Sequence, residues 1–234
     1  MEVDVSDGHG DGVVRAVVFD FGGPVLLTPF ELLRDTEARL GLEPGALDWR
    51  GPFDPGADPL WREMIAGDIT ERDYWQRRAE QLHALAATGE DVRHLFAAVF
   101  DGDQALLVRP ESHQVMRQAA EKGLTTGVLT NDLARFHPAA WIEGNDFLRD
   151  VDVIVDGSVT GALKPDPRAF QLLLEALDLP AGDVLFTDDQ RHNVEAAARA
   201  GLRVVWFDVT APARSAAEVA AAAGLGRPVA SPPG

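Results

Sequence analysis

The chain has no cysteine among its 234 residues, so disulfide staples, zinc–thiolate sites and cysteine nucleophiles are excluded. Basic residues are scarce too, 21 against 38 acidic ones, for a formal charge of −17. That balance argues against a general nucleic-acid surface, because phosphate-backbone affinity needs Lys and Arg to displace counterions. No apolar run approaches the length of a membrane span, and Met1 to Gly12 carries four acids with neither a basic nor an apolar leader region. A cytoplasmic protein with no membrane partner is expected. Lysine is scarcest among the cations: only Lys122 and Lys164, the other 19 being arginine, so a retained lysine departs from the chain's habit. At 46% hydrophobic and 25% charged, the composition suits one large globular domain or a domain with an insert.

Short apolar runs rich in β-branched residues recur at 13–21, 124–130, 151–155, 183–187 and 203–207. They suit strands buried on both faces of a parallel sheet. Helical signals lie between them: Pro110 to Lys122-Gly123, an Asp166-Pro167 start for 168–177, and a run closing on Gly201. Alternating strands and helices imply an α/β fold with a doubly wound, Rossmann-like parallel sheet. About a hundred residues separate the first two strands, too many for one crossover helix, so a helical insert is expected at 29–107. Capping boxes at Thr28-Pro29-Phe30-Glu31 and Thr70-Glu71-Arg72-Asp73 open its helices, with an irregular loop over 44–59. The core is then 13–28 and 108–210. A third box, Ser215 to Glu218, precedes an Ala-rich helix, and 1–12 and 225–234 read as disordered tails.

In an open parallel sheet, ligands bind outside the carboxyl ends of the strands. The residues ending the strands here are Asp20, Thr130-Asn131-Asp132 and Asp188-Asp189, with Lys164 in the loop before a helix. Carboxylates crowded into a small site stay ionised only beside a cation, since like charges raise one another's pKa. A hard divalent ion answers this, and Mg²⁺ is expected where carboxylates meet a phosphate. Lysine and hydroxyl would hold the remaining phosphate oxygens, and an Asp can itself be a nucleophile.

The segments VVFDFGG (17–23), VLTN (128–131), GALKPDP (161–167) and VLFTDDQRHNVEAAARAG (184–201) resemble, in order and spacing, the four motifs of the haloacid dehalogenase-like (HAD) hydrolase superfamily. The likeness runs over roughly 14–207, in the subclass with a helical cap after motif I. It implies Asp20 as nucleophile and Mg²⁺ ligand, with metal ligands in the Gly22 carbonyl, Asp189 and Asp188, the last directly or through water. It implies that Thr130 and the Asn131 amide hold phosphoryl oxygens and that Lys164 neutralises the Asp20–phosphoryl pair. Asn193 would orient the metal shell. The activity implied is hydrolysis of a small phosphorylated metabolite through an aspartyl-phosphate, with a homodimer left open.

Two departures stand out. The phosphatases usually carry a second Asp two residues after the nucleophile as general acid/base, and here that position is Gly22; losing such a group is worth on the order of 10²–10⁴ in rate. Pro24 replaces the usual Thr or Val and should stiffen the loop into the cap. Glycine at 22 keeps two alternatives open, a 2-haloacid dehalogenase-type hydrolase without metal and a catalytically silent binding protein. The Asp188-Asp189 pair argues against the first, since it gains little without a cation. Asp166 is explained by capping, and His192 reads as an exposed loop residue. Trp49, Arg50, Phe53 and Trp61 either recognise the leaving group or form the cap's own core.

Overall fold

The computed structural model describes residues 13–226; the lead-in 1–12 and residues 227–234 of the expected C-terminal tail lie outside the described residues. Leu225, also expected in that tail, is tied down: its N–H donates to Ala220 O at 2.8 Å and its side chain packs on the core.

Five strands, β1 (Ala16–Phe19), β2 (Thr125–Thr130), β3 (Val153–Asp156), β4 (Val184–Asp188) and β5 (Arg203–Trp206), form one parallel sheet in the order β3-β2-β1-β4-β5. Successive residues of the central strands enter opposite cores. Val17 and Phe19 pack with Val128 and Leu185 on one face, while Ala16 and Val18 pack with Leu129 and Phe186 on the other. Both faces are therefore dry, which is why these strands read as continuous apolar runs. The edge strands are looser, with Ile154 of β3 exposed.

Between β1 and β2 the chain is helical: α1 (Leu33–Leu40), α2 (Pro59–Ala66), α3 (Glu71–Ala86), α4 (Val92–Val99) and α5 (Gln104–Leu107). Then α6 (Pro110–Glu121) leads into β2. The β2–β3 connection holds α7 (Leu133–Phe136), α8 (Ala139–Gly144) and α9 (Asp146–Asp150). The β3–β4 connection holds α10 (Gly157–Thr160) and α11 (Pro167–Leu177), and α12 (Arg191–Arg199) and α13 (Pro212–Ala222) flank β5. Helices α6 and α13 cover one face of the sheet, α11 and α12 the other. Asp166 caps α11 through Arg168 N–H at 2.8 Å, and Thr70 and Asp73 bond reciprocally at the start of α3.

Three boundaries differ from the sequence reading. Helix α13 begins at Pro212, not at the Ser215 box, because proline is pre-organised for the first helical position. Ser215 lies inside the helix, and its hydroxyl accepts from Asp208 N–H at 2.9 Å. Helix α2 was not foreseen, although Asp58-Pro59 and Gly67 bracket it; Asp58 Oδ1 accepts from Trp61 N–H at 2.9 Å. The turn opened by Thr28 is 3₁₀ over Pro29–Leu32 before α1 begins.

The two chain crossings into and out of this helical insert are paired, Leu27 N–H with Leu107 O at 2.8 Å and Arg109 N–H with Val25 O at 2.7 Å. Arg109, 2% exposed, bonds Gly23 O and both oxygens of Glu31 at 2.9 and 2.6 Å, so it ties the loop after β1 to the first turn of the insert. Ser112 donates to Pro24 O, holding the same loop to α6. Connections run to opposite sides of β1, so the sheet's switch point, and its crevice, lies between β1 and β4.

Candidate active site

Asp20 leaves the end of β1 with its N–H still bonded to Thr187 O of β4 at 2.8 Å. Its Oδ1 accepts from Phe21 N–H at 2.7 Å and lies 2.8 Å from Lys164 Nζ, while Oδ2 has no donor among the described residues, and Asp20 lines the cavity. The loop beyond is shaped by glycine. Gly23 has φ +90°, and a Cβ there would stand 2.8 Å from Asp189 Oδ2, so only glycine lets the loop pass this close. At Gly22, by contrast, a Cβ would meet nothing within 4 Å.

Lys164, buried, reaches Asp188 Oδ2 at 2.6 Å as well as Asp20. Its backbone is clamped by the Asn131 side chain, which accepts from Lys164 N–H at 2.7 Å and donates to Lys164 O at 3.1 Å. Asp188 is saturated: besides Lys164, it accepts from Gln190 N–H at 2.8 Å and from Asn193 Nδ2 at 3.2 and 3.1 Å. Asp189 is the opposite. Among the described residues nothing donates to its carboxylate, while its carbonyl is held by Trp206 Nε1 at 2.7 Å. One oxygen from each of Asp20, Asp188 and Asp189 lies within 4.8 Å of the others. Thr130, at the end of β2, lines the same cavity beside Asn131.

Burial raises the Asp20 carboxyl to about 7; Lys164 opposes this and the Asp188 charge adds to it. Asp189 is pushed well above its ordinary value, first by burial and then by Asp188 and Asp20. For Lys164, burial works against the ammonium, yet Asp188 and Asp20 outweigh it and the pKa rises. Without a further cation, then, the site has too much negative charge for its surroundings. The donor set fits a hard divalent ion. Among the described residues the Asp189 carboxylate has no donor, and neither does the buried Asn193 Oδ1, which can accept from a metal-bound water.

The sequence candidates outside the motifs scatter. Trp61 lines the cavity and packs edge-on against Phe30 and Tyr74 at 5.4 and 5.6 Å. Trp49 is buried in the insert beside Arg78. Arg50 pairs with Asp48 at the surface, Phe53 is exposed, and neither lines the cavity; His192 is exposed as expected.

A family model described as haloacid dehalogenase-like hydrolase matches residues 14–201. The chain belongs to this hydrolase family. A 199-residue match at 31% identity to acyl-CoA dehydrogenase family member 10 of Mus musculus covers 83% of this chain and 18% of that protein. Phosphatase MT3486 of Mycobacterium tuberculosis is 35% identical over 99 residues, 42% of this chain and 46% of its own length. The chain thus spans less than half the length of either relative. The crystal structure of a defluorinating L-2-haloacid dehalogenase has a TM-score of 0.53 at 21% identity, covering 82% of this chain and 80% of that one, a likeness of fold.

Several residues of the hydrolase's cavity escaped the sequence reading. Glu71, the first residue of α3, faces the cavity with Asp20 and Gly22, held by Trp75 Nε1 at 3.4 Å and by the Gln190 side chain. Burial raises its pKa, helped by the charge of Asp188. Its neighbour Arg72 makes a two-pronged bond to Asp132, with Nε to Oδ2 at 3.0 Å, so Asp132 joins insert to core and is not one of the clustered carboxylates. His137 also lines the cavity, and burial lowers its pKa to about 4. The Thr70 capping box was legible, but it marks a helix start and not the direction of the residue after it.

Proposed function

We propose that this hydrolase is a Mg²⁺-dependent phosphomonoesterase working through an aspartyl-phosphate on Asp20. The observation that carries the reading is the unpartnered Asp189 carboxylate within 4.8 Å of Asp20 and Asp188 around a single lysine, an arrangement that calls for a divalent cation beside a nucleophilic carboxylate. The curated relative named a phosphatase supports it. Asp20, Asp189 and the Gly22 carbonyl would hold the ion, with Asp188, already filled by protein donors, acting through water. When bound, Mg²⁺ supplies positive charge against that developing on the transferring group.

Asp20 Oδ2 attacks phosphorus in line while Oδ1 stays on the Phe21 amide and Lys164. Thr130 Oγ1 and the Asn131 main-chain N–H orient the phosphoryl oxygens, and Lys164 offsets their charge. As the P–O bond to the alcohol breaks, the leaving alkoxide takes its proton from Glu71, which faces the space left open by glycine at 22. Water then attacks phosphorus, gives its proton to the Glu71 carboxylate, and releases inorganic phosphate with Asp20 restored. In this reading 29–107 is a cap closing over a core of 13–28 and 108–210, and the substrate is a small cytoplasmic phosphorylated metabolite.

The test is phosphate release from a panel of phosphomonoesters, with Mg²⁺ and with EDTA, beside Asp20→Asn. Release that requires both metal and Asp20 is expected. Halide release from 2-haloacids indifferent to EDTA overturns the proposal in favour of the dehalogenase reading, and no turnover with no Mg²⁺ binding favours a silent binding protein.

A further inference from the structure

The cavity above Asp20, about 110 Å³, has a polar floor and a different upper wall. Phe30, Trp61, Met64, Trp75, Phe96 and Phe136 line that wall. Stacked and edge-on contacts tie its rings together: Phe30–Trp61 at 5.4 Å, Trp75–Phe96 at 5.3 Å and Phe96–Phe136 at 4.3 Å. The wall is therefore packed before any ligand arrives. Among the described residues Lys164 is the only Lys or Arg in the lining, and Asp20 and Asp188 already engage it.

The arginines that could otherwise reach in are committed elsewhere: Arg72 to Asp132, Arg78 to Asp58 and Arg109 to Glu31. His137 stays neutral in its aromatic surroundings, stacked on Trp141. The other ionisable lining residues outside the carboxylate cluster, Glu71 and Asp132, are acidic, and Asp132 is already paired with Arg72. A second anionic group on the substrate would meet apolar rings and carboxylates with no cation to receive it, and burying an unpaired charge is costly.

We propose that the leaving group is an uncharged, largely apolar alcohol, so that the substrates are alkyl or aryl phosphomonoesters, to the exclusion of phosphorylated acids and bisphosphates. This rests on reading the floor as a phosphate site. The alkyl or aryl portion displaces water from the aromatic wall, and each buried methylene tightens binding about fourfold. Specificity comes equally from the missing cation, which rejects carboxylate-bearing phosphates.

Binding of non-hydrolysable phosphonates to the wild-type protein at saturating Mg²⁺, read by calorimetry, tests this apart from turnover. From methyl- through propyl- to hexylphosphonate the affinity should rise at least 30-fold in total. Phosphonoacetate, similar in size to propylphosphonate but carrying a carboxylate, should bind at least tenfold more weakly than propylphosphonate. Met64→Arg, which places a cation in the wall, should narrow that gap by tenfold or more. Equal or tighter binding of phosphonoacetate, or affinity indifferent to chain length, overturns the proposal. Chain-length-dependent binding without phosphate release from hexyl phosphate would leave the selectivity of the wall standing and remove the phosphatase reading, and with it the assignment of these ligands as substrates.

Discussion

Replacing Asp20, the proposed nucleophile, should make the metal-free protein more stable while abolishing turnover. Burial raises Asp20 from an ordinary value of 3.8 to about 7. The folded protein thus holds this proton more tightly than the unfolded chain, so stability in EDTA is greatest below about pH 4 and is lost as pH rises towards 7. Three pK units correspond to a ceiling of about 4 kcal/mol at pH 8. Asn titrates nowhere in this range, so Asp20→Asn escapes that loss; the decline it keeps belongs to Asp189 and Glu71. For a chain of this length, each kcal/mol moves the melting temperature by about 2–4 °C, so the variant should melt roughly 5–15 °C above wild type at pH 8 in EDTA. The gap should shrink by more than half at pH 5. Added Mg²⁺ should narrow the gap, since saturation at a hundred times Kd stabilises wild type by about 2.7 kcal/mol and the variant has lost a ligand. Thermal and urea denaturation at the two pH values, with EDTA and with Mg²⁺, measure all of this. A gap independent of pH, or equal stabilisation of both proteins by Mg²⁺, would refute the carboxylate-crowding argument.

Glu71→Gln should lower kcat/KM, which covers the steps through departure of the alcohol, by about 10²-fold for alkyl phosphates but barely for p-nitrophenyl phosphate, whose leaving group needs no proton; an equal loss of kcat/KM on both would assign Glu71 a structural part. Gly22→Asp meets no steric obstacle and should restore at least a tenth of the alkyl phosphatase activity in the Glu71→Gln background, as steady-state kinetics of the double variant would show. Gly23→Ala forces a positive φ on a residue with a Cβ, costing about 1–2 kcal/mol, and drives that Cβ against Asp189. It should raise the Mg²⁺ concentration for half-maximal activity at least tenfold, read by metal titration of activity.

Arg109 shows how core and insert are joined without a feature that sequence reasoning could detect. Its guanidinium is almost fully buried on the Gly23 carbonyl and Glu31, residues far from it in the chain. Removing it would leave the Gly23 carbonyl and one Glu31 oxygen without this donor, while Thr28 still holds the other oxygen. Arg78 with Asp58 does the same inside the insert. Arg109 meets the two Glu31 oxygens through two nitrogens and Arg78 meets both Asp58 oxygens through one, while the buried Lys164 serves as a compact charge between two carboxylates.

The sequence by itself determined the strand runs, the parallel α/β fold, the position of the long helical insert and the residues at the strand ends. Each of these follows from local chemistry: period-two burial on both sheet faces, proline and aspartate at helix starts, and the rule that sites form at the carboxyl edge. Only the tertiary structure decided which of those residues remain available. Asp188 and Asp189 are adjacent and identical in type, yet one is saturated by Lys164, Asn193 and Gln190 while the other has no donor. The same holds for Asp132, drawn away by Arg72, and for Glu71, aimed inward from a helix start that reads like any other. Hydrogen-bond saturation and side-chain direction depend on partners remote in the chain, and no local pattern encodes them.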